Sequence, residues 1–330
     1  MKDVSVKTKA KLSNILDDDL LDGLIWENDL TAKATYLRKN YDFINSDDDK
    51  LIMEDKLSKH FYKELRSLEY FLTGLEKKFY QLYFSIYKIY MIQEIITSIL
   101  NGSLAENLGY FKNSPYYKGM SLDLDTSFRD FIESLDDYHI KRVLEPFLNE
   151  NMDKDSIIFL SSNALIKSYY RELLKLSEKF PSKEAKLIKN FLAEEINLLN
   201  FEMLYRLKSF FDVNDNEIFN YLIEGGYLYN GQRLKKISEL SKYELIEYFK
   251  ASKYKSIFED EDLFYKNLQN KRLKTFKDEI IKERSEMLYI ISAMNLLYLN
   301  KKNLIAILEM DDKYTYSQKE ELLIGRWIWQ

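Results

Sequence analysis

The stretch from Glu194 to Phe211, EEINLLNFEMLYRLKSFF, constrains this chain more than any other. Wound at about 100° per residue, Leu192, Ile196, Leu199, Met203, Leu207 and Phe210 fall on one narrow stripe of a helix. Leu198, Phe201, Leu204, Tyr205 and Phe211 make a second apolar face. A helix apolar on two sides lies between other helices, so the chain has to build further helices around this one. Only a wedge with Glu195, Glu202 and Arg206 is left for water, where Glu202 and Arg206, one turn apart, are expected to form a weak surface ion pair. Asn197, Asn200 and Lys208 fall within or beside the apolar territory. An unpartnered amide there costs roughly 1–3 kcal/mol, so Asn197 and Asn200 are expected to be structural, bonded to backbone or to neighbouring helices.

The rest of the chain suits that demand. Nine Gly and three Pro in 330 residues are too few for turn-dense sandwiches or barrels and favour long helices joined by short polar links. With 26 Tyr and 20 Phe there is far more buriable surface than a disordered chain carries, enough for two or three modest cores. The absence of Cys removes disulfides, thiolate chemistry and cysteine-ligated zinc, and fits a reducing compartment. A net charge of −5 from 49 basic and 54 acidic residues gives no general attraction to nucleic acid. Lys2, Lys7, Lys9 and Lys11 precede no apolar run, so no signal peptide is expected. Met287 to Leu299, the longest nearly uncharged apolar run, falls short of the ~20 residues that span a bilayer, so the protein is expected to be soluble or peripheral.

Helical patterning opens the chain from Val4 to Leu51, with a break near Gly23, and continues from Leu51 to Asn101, interrupted around Thr73-Gly74 and stopped by Asn101-Gly102. Gly102 to Leu124, with Gly109, Pro115 and Gly119, is the most loop-like region. Helices are predicted over Ser127–Leu135, Tyr138–Leu148, Ser161–Phe180 and Lys183–Phe211, with shorter elements from Glu217 to Phe249 and a last long pair over Leu263–Glu309. The pattern also recurs. Ile132-x-x-Leu135-x-x-Tyr138-x-Ile140 returns as Ile237-x-x-Leu240-x-x-Tyr243-x-Leu245, and Phe61-Tyr62-Lys-Glu-Leu65 as Tyr169-Tyr170-Arg-Glu-Leu173. Lys88–Ile99 overlays the organising helix at a spacing of 109, and the stretch from Asn303 echoes Asn200-FEML. The near-common spacing predicts an all-α fold of three related helical units, 1–110, 111–215 and 216–330.

Motifs that carry chemistry are weak. Asp18-Asp19-Leu20-Leu21-Asp22 has the DDxxD spacing that holds magnesium and a diphosphate in isoprenoid synthases, which makes an all-α enzyme of that type one alternative. The second acidic set such a site needs is missing: Asp311-Asp312 lacks a third acid, and Asp47 to Asp49 sits in a turn. His60 and His139 have no second histidine at ligand spacing. Gly225-Gly226 follows a helix and reads as a helix end and turn rather than a phosphate loop. Ser161-Ser162 has no nucleophile-elbow context, and the Tyr-rich helices read as core. Trp327 and Trp329 either dock on a partner or fold back on the last unit.

Glu195-INLL-Asn200-FEML-Tyr205-Arg206-Leu-Lys208, followed by Leu222-Ile-Glu-Gly225-Gly226, resembles the C-type stalk component of bacterial and archaeal V/A-type ATPases, whose counterpart in the eukaryotic V-type pump is the d-type component. Asn200, Arg206, Lys208, Gly225 and Gly226 match the family's pattern, while Asn197 stands where the family commonly has Asp. Lys88 and Met91 occupy the motif's polar positions in the first repeat. The N-terminal Lys7-x-Lys9-x-Lys11 run and Ile52-MEDK-Leu57 are similar to the family's opening helices. The resemblance implies a funnel of three similar helical domains with pseudo-threefold symmetry and no catalytic residue, cofactor or metal. It further implies a peripheral place on the cytoplasmic face of the membrane, where the protein couples the D/F-type rotor shaft subunits to the membrane c-ring for ATP-driven ion transport or ATP synthesis. Lys7, Lys9 and Lys11 are the expected partner contact. A helical-repeat adaptor is the other alternative.

Overall fold

The computed structural model describes residues 2–13, 15, 18–148, 152–211, 213–226, 230–310 and 313–324, with backbone alone at 2–4, 18–20 and 216. Every regular element among them is helical, and no strand is present. After α1 (Lys2–Leu12), the helices fall into three runs of one plan: two short helices, a long hairpin and a short closing helix. The first run is α2 (Asp18–Trp26), α3 (Leu30–Leu37), α4 (Lys50–Leu68), α5 (Gly74–Phe84), α6 (Ile86–Leu100) and α7 (Leu104–Asn113). The second is α8 (Phe128–Ser134), α9 (Tyr138–Leu144), α10 (Lys154–Ser177), α11 (Ser182–Phe210) and α12 (Asp215–Ile218). The third is α13 (Gly231–Ser238), α14 (Lys242–Lys250), α15 (Lys255–Phe258), α16 (Phe264–Lys282), α17 (Glu286–Glu309) and α18 (Tyr316–Leu322).

Helix starts follow the local chemistry. Asp29, Asp49, Asp137 and Asp153 each accept a backbone N–H of the first turn, and Ser127, Ser241 and Thr315 close reciprocal boxes with Asp130, Glu244 and Gln318. Each cap satisfies donors that the first turn leaves orphaned, worth about 1 kcal/mol.

The turns of the three long hairpins lie together: Phe79 meets Phe180 edge-on with ring centroids 5.5 Å apart, and Ser285 donates to Glu184. Further along, Tyr83 on α5, Glu195 on α11 and Asn295 on α17 tie one member of every hairpin into one hydrogen-bonded chain. The main core runs through all three hairpins, and a second apolar cluster fills the space between the C-terminal half of α11 and α13–α16, centred on Phe201, Phe249, Tyr254 and Phe258.

The first and last runs are tied directly. Lys33, buried on α3, donates to the carbonyls of Ile307 (2.8 Å) and Met310 at the end of α17. Lys319, buried on α18, donates to Asn28 Oδ1 (2.5 Å), and Trp26 stacks on Tyr316 at 4.5 Å. Lysines are rarely this buried; here each ammonium hydrogen-bonds carbonyl oxygens of the neighbouring run, two of them at the end of α17 where the helix dipole is negative.

Two sequence expectations at α11 are corrected. Glu195 does not face water: it is buried, and Tyr83 Oη donates to its Oε1 at 2.8 Å. Glu202 pairs across helices with Arg272 Nη2 at 2.9 Å rather than along its own helix with Arg206, whose guanidinium lies 5.6 Å from the Phe211 ring. Both follow from α5 and α16 covering the wedge that periodicity alone leaves open. Phe210, placed on the apolar stripe by periodicity, is exposed although Leu207 in the same turn is buried.

Candidate partner-binding cavity

α6, α7 and α17 enclose an open cavity of about 580 Å³. α6 supplies Tyr90, Gln93, Glu94, Thr97 and Ser98; α7 supplies Asn107, Tyr110 and Phe111, and α17 supplies Tyr298 and Lys302. Tyr90 keeps 39% of its surface accessible, yet burial pushes its hydroxyl above the ordinary tyrosine range. A side chain that water reaches and protein surrounds belongs to the wall of a concavity, and the groups that act on Tyr90 come from beyond its own hairpin: Arg272 on α16, Glu195 and Glu202 on α11.

The electrostatics of the wall are set by burial. It raises the Glu94 carboxyl against the opposing pull of Lys301 and Lys302. Burial, then Lys302, pulls Lys301 down to about 8; burial, then Arg272, lowers Lys302. Glu195 behind the wall is pushed up to about 7 by burial, opposed by the Tyr83 hydrogen bond and by Arg272. Glu94 and Lys302 are nonetheless exposed on the cavity wall, where their fields act on whatever enters it.

The residues singled out in the sequence surround this cavity without lining it. Asn197 donates to Tyr254 Oη at 3.1 Å. Asn200 donates to the Ile223 carbonyl at 2.7 Å and accepts its N–H at 2.8 Å, so one amide holds the chain just before Gly225. Gly225, at φ +113°, has its α-carbon against Leu174, and Gly226 is buried beside it. Lys208 pairs with Asp215 at 2.6 Å across the turn from α11 to α12, and Arg206 is exposed. Of the N-terminal lysines, Lys9 pairs with Glu283 (2.8 Å) and Lys11 with Glu64 (2.5 Å), which anchors α1 to α16–α17 and α4, while Lys7 is exposed.

The third run repeats the Asn200 grip. Asn303 donates to the Ile324 carbonyl at 2.9 Å and accepts its N–H at 3.0 Å, and Asn300 donates to Tyr41 Oη as Asn197 does to Tyr254. In the first run the register shifts. Gly119 (φ +82°) and Gly225 both take the left-handed conformation after the closing helix, 106 residues apart, and aligning the sequence on these two glycines sets Glu94 opposite Asn200 and Met91 opposite Asn197. The spacing of 109 instead puts Lys88 and Met91 at those positions, about one helical turn away.

Of the DDxxD run, the side chains of Asp18, Asp19 and Leu20 lie outside the described residues, and Asp22 accepts a hydrogen bond from Tyr316 Oη at 3.2 Å. Among the described residues no group of His, Asp or Glu is placed to hold a metal. His60 packs among Tyr41, Phe43 and Phe61, and His139 Nε2 lies 2.8 Å from Ser168 Oγ. Trp327 and Trp329, Asp311 and Asp312 lie outside the described residues. Glu94, Arg272 and Lys301–Lys302 escaped sequence reading; the one available signal was the adjacent Lys301–Lys302 pair inside an otherwise apolar helix. No helix among the described residues is long and apolar enough to cross a membrane. A family model described as ATP synthase (C/AC39) subunit matches residues 4–320, and no curated protein matches the chain.

Proposed function

The chain belongs to the ATP synthase (C/AC39) subunit family, and we propose that it is the non-catalytic central-stalk coupler of a rotary V/A-type ATPase, joining the shaft subunits to the membrane ring. In this reading the three runs of helices are comparable units of one funnel, divided between α7 and α8 and between α12 and α13, and the funnel sits peripherally on the cytoplasmic face. Three hairpins tied at their turns and through Tyr83, Glu195 and Asn295 form a stiff frame, which is what a torque coupler requires.

The observation that carries the reading is the cavity between α6, α7 and α17, whose charged and tyrosine-rich wall suits the foot of a helical shaft. Native membranes solubilised gently and captured through this chain should release shaft subunits of the D/F type together with the ring protein. Recovery of neither would overturn the coupler assignment. Lys302→Glu, a charge reversal on the cavity wall, should release the shaft and leave the ring bound.

A further inference from the structure

Two charges on the wall of this cavity, Glu94 and Lys302, have no ion-pair partner among the described residues, and neither does Lys301 beside them. Glu94 makes no hydrogen bond or ion pair among the described residues. Lys301 and Lys302 hold their Nζ atoms over the Tyr298 ring at 5.3 and 5.5 Å and reach no carboxylate. Arg272 and Glu202 nearby, by contrast, satisfy each other at 2.9 Å.

These charges stand where the internal repeat breaks. Opposite Glu94 the other runs carry Asn200 and Asn303, both occupied in gripping backbone. Opposite Lys301 and Lys302 they carry Leu198 and Leu199, and Ile92 and Gln93. The junction between α6 and α17 carries charges of both signs that make no ion pair among the described residues. A socket of three similar walls would accept a shaft in three settings about 120° apart, because nothing in the frame distinguishes them. One junction with its own charge pattern does.

Resting on the coupler reading, we propose that Glu94 and the Lys301–Lys302 pair form a keyway that fixes the rotational setting of the shaft. Its occupant is a helical segment of the shaft that offers a basic side chain to Glu94 and acidic side chains to Lys301 and Lys302. The wrong settings are penalised, since they would cover Glu94 and the two ammonium groups without partners, and discrimination by uncompensated charge is an effective form of specificity. The cavity volume of about 580 Å³ leaves room for such side chains to enter.

Equilibrium binding of purified shaft subunits to the full chain tests this at low and moderate salt. Glu94→Gln should weaken binding about tenfold and flatten its salt dependence, and Glu94→Lys should weaken it about a hundredfold. Melting temperature and circular dichroism check the fold; if Glu94→Lys fails to fold, the isosteric Gln variant decides the matter alone. Because the chain has no cysteine, Thr97→Cys gives a single crosslinking site beside Glu94. It should mark one face of the shaft, and mark three faces once Glu94→Asn, Lys301→Leu and Lys302→Leu make this junction like the others. Wild-type affinity in both Glu94 variants, or an unchanged single face in the triple variant, would overturn the keyway and leave the coupler reading standing. A wild-type chain that binds no shaft would overturn both.

Discussion

At the same point of three similar helices, α11 and α17 carry an asparagine that grips backbone, and α6 carries a glutamate that grips nothing. Asn200 and Asn303 each satisfy both polar groups of one later residue, Ile223 and Ile324. The neighbouring position changes with them. Asn197 and Asn300 donate to Tyr254 and Tyr41, whereas the first run has Met91 there, buried and with no amide to satisfy. A buried amide is costly unless partnered, and a methionine in its place makes no such demand. Aligned in this way, the first run lacks both amides of the grip, and Glu94 lines a cavity instead. One aligned position thus grips backbone twice and lines an open cavity once.

The most direct way to break this comparison is to remove a grip. Asn200→Ala should lower unfolding free energy by about 4 kcal/mol, since it strands two buried backbone groups at roughly 1–3 kcal/mol each and leaves a hole. Asn303→Ala should cost less, about 2 kcal/mol, because its bonds are only partly buried. Denaturant titration checks both; equal losses would mean that burial does not set the difference.

The next effect concerns the buried carboxyl behind the cavity. Glu195 has its folded pKa raised from 4.5 to about 7, so the folded state holds a proton that the unfolded chain has released. Stability from this group is therefore fully present below about pH 4.5 and is lost as pH rises to about 7, by on the order of 3 kcal/mol. Glu195→Gln should remove that part of the pH dependence. A wild-type curve that rises over the same window through the contribution of this residue would show Glu195 ionised and paired.

Backbone geometry sharpens the contrast at the gripped loop. Gly225→Ala meets both a left-handed φ and a Leu174 methyl 2.5 Å from the new Cβ, and should cost about 2 kcal/mol. At Gly119 the nearest atom is a carboxylate oxygen of Asp136 at 3.0 Å, on a side chain able to move, so Gly119→Ala should cost about 1 kcal/mol. Thermal melts of the two variants side by side check the order. The smallest effect belongs to the open position: Glu94→Asn should change stability by less than about 0.5 kcal/mol, as expected of a side chain without partners.

Much of the fold is legible in the sequence, for reasons these residues make plain. The scarcity of Gly and Pro and the double apolar stripe of α11 dictate long, packed helices, and the misplaced amides at 197 and 200 announce buried partners. The errors share one cause. Periodicity assigns a face to each residue but not its neighbours, so Glu195 and Glu202 read as solvent-facing when Tyr83 and Arg272 from other hairpins cover them. The cavity was illegible for the same reason. Tyr90 and Tyr298 look like core in a helical wheel, and only the meeting of α6 with α17 makes them a wall.

The two buried lysines that link the first run to the last have a mechanical meaning. A tube slit along its length twists under small loads, because the lips of the cut slide past each other; the same tube with the cut welded resists torsion many times better. In the funnel proposed above, Lys33 and Lys319 are that weld. Each carries an ammonium from one edge onto carbonyl oxygens of the other, one bonding forward to the end of α17 and one back to the end of α2. Shear along the seam would have to break both sets of buried bonds at once, so a wrench applied to one wall is carried around the whole section.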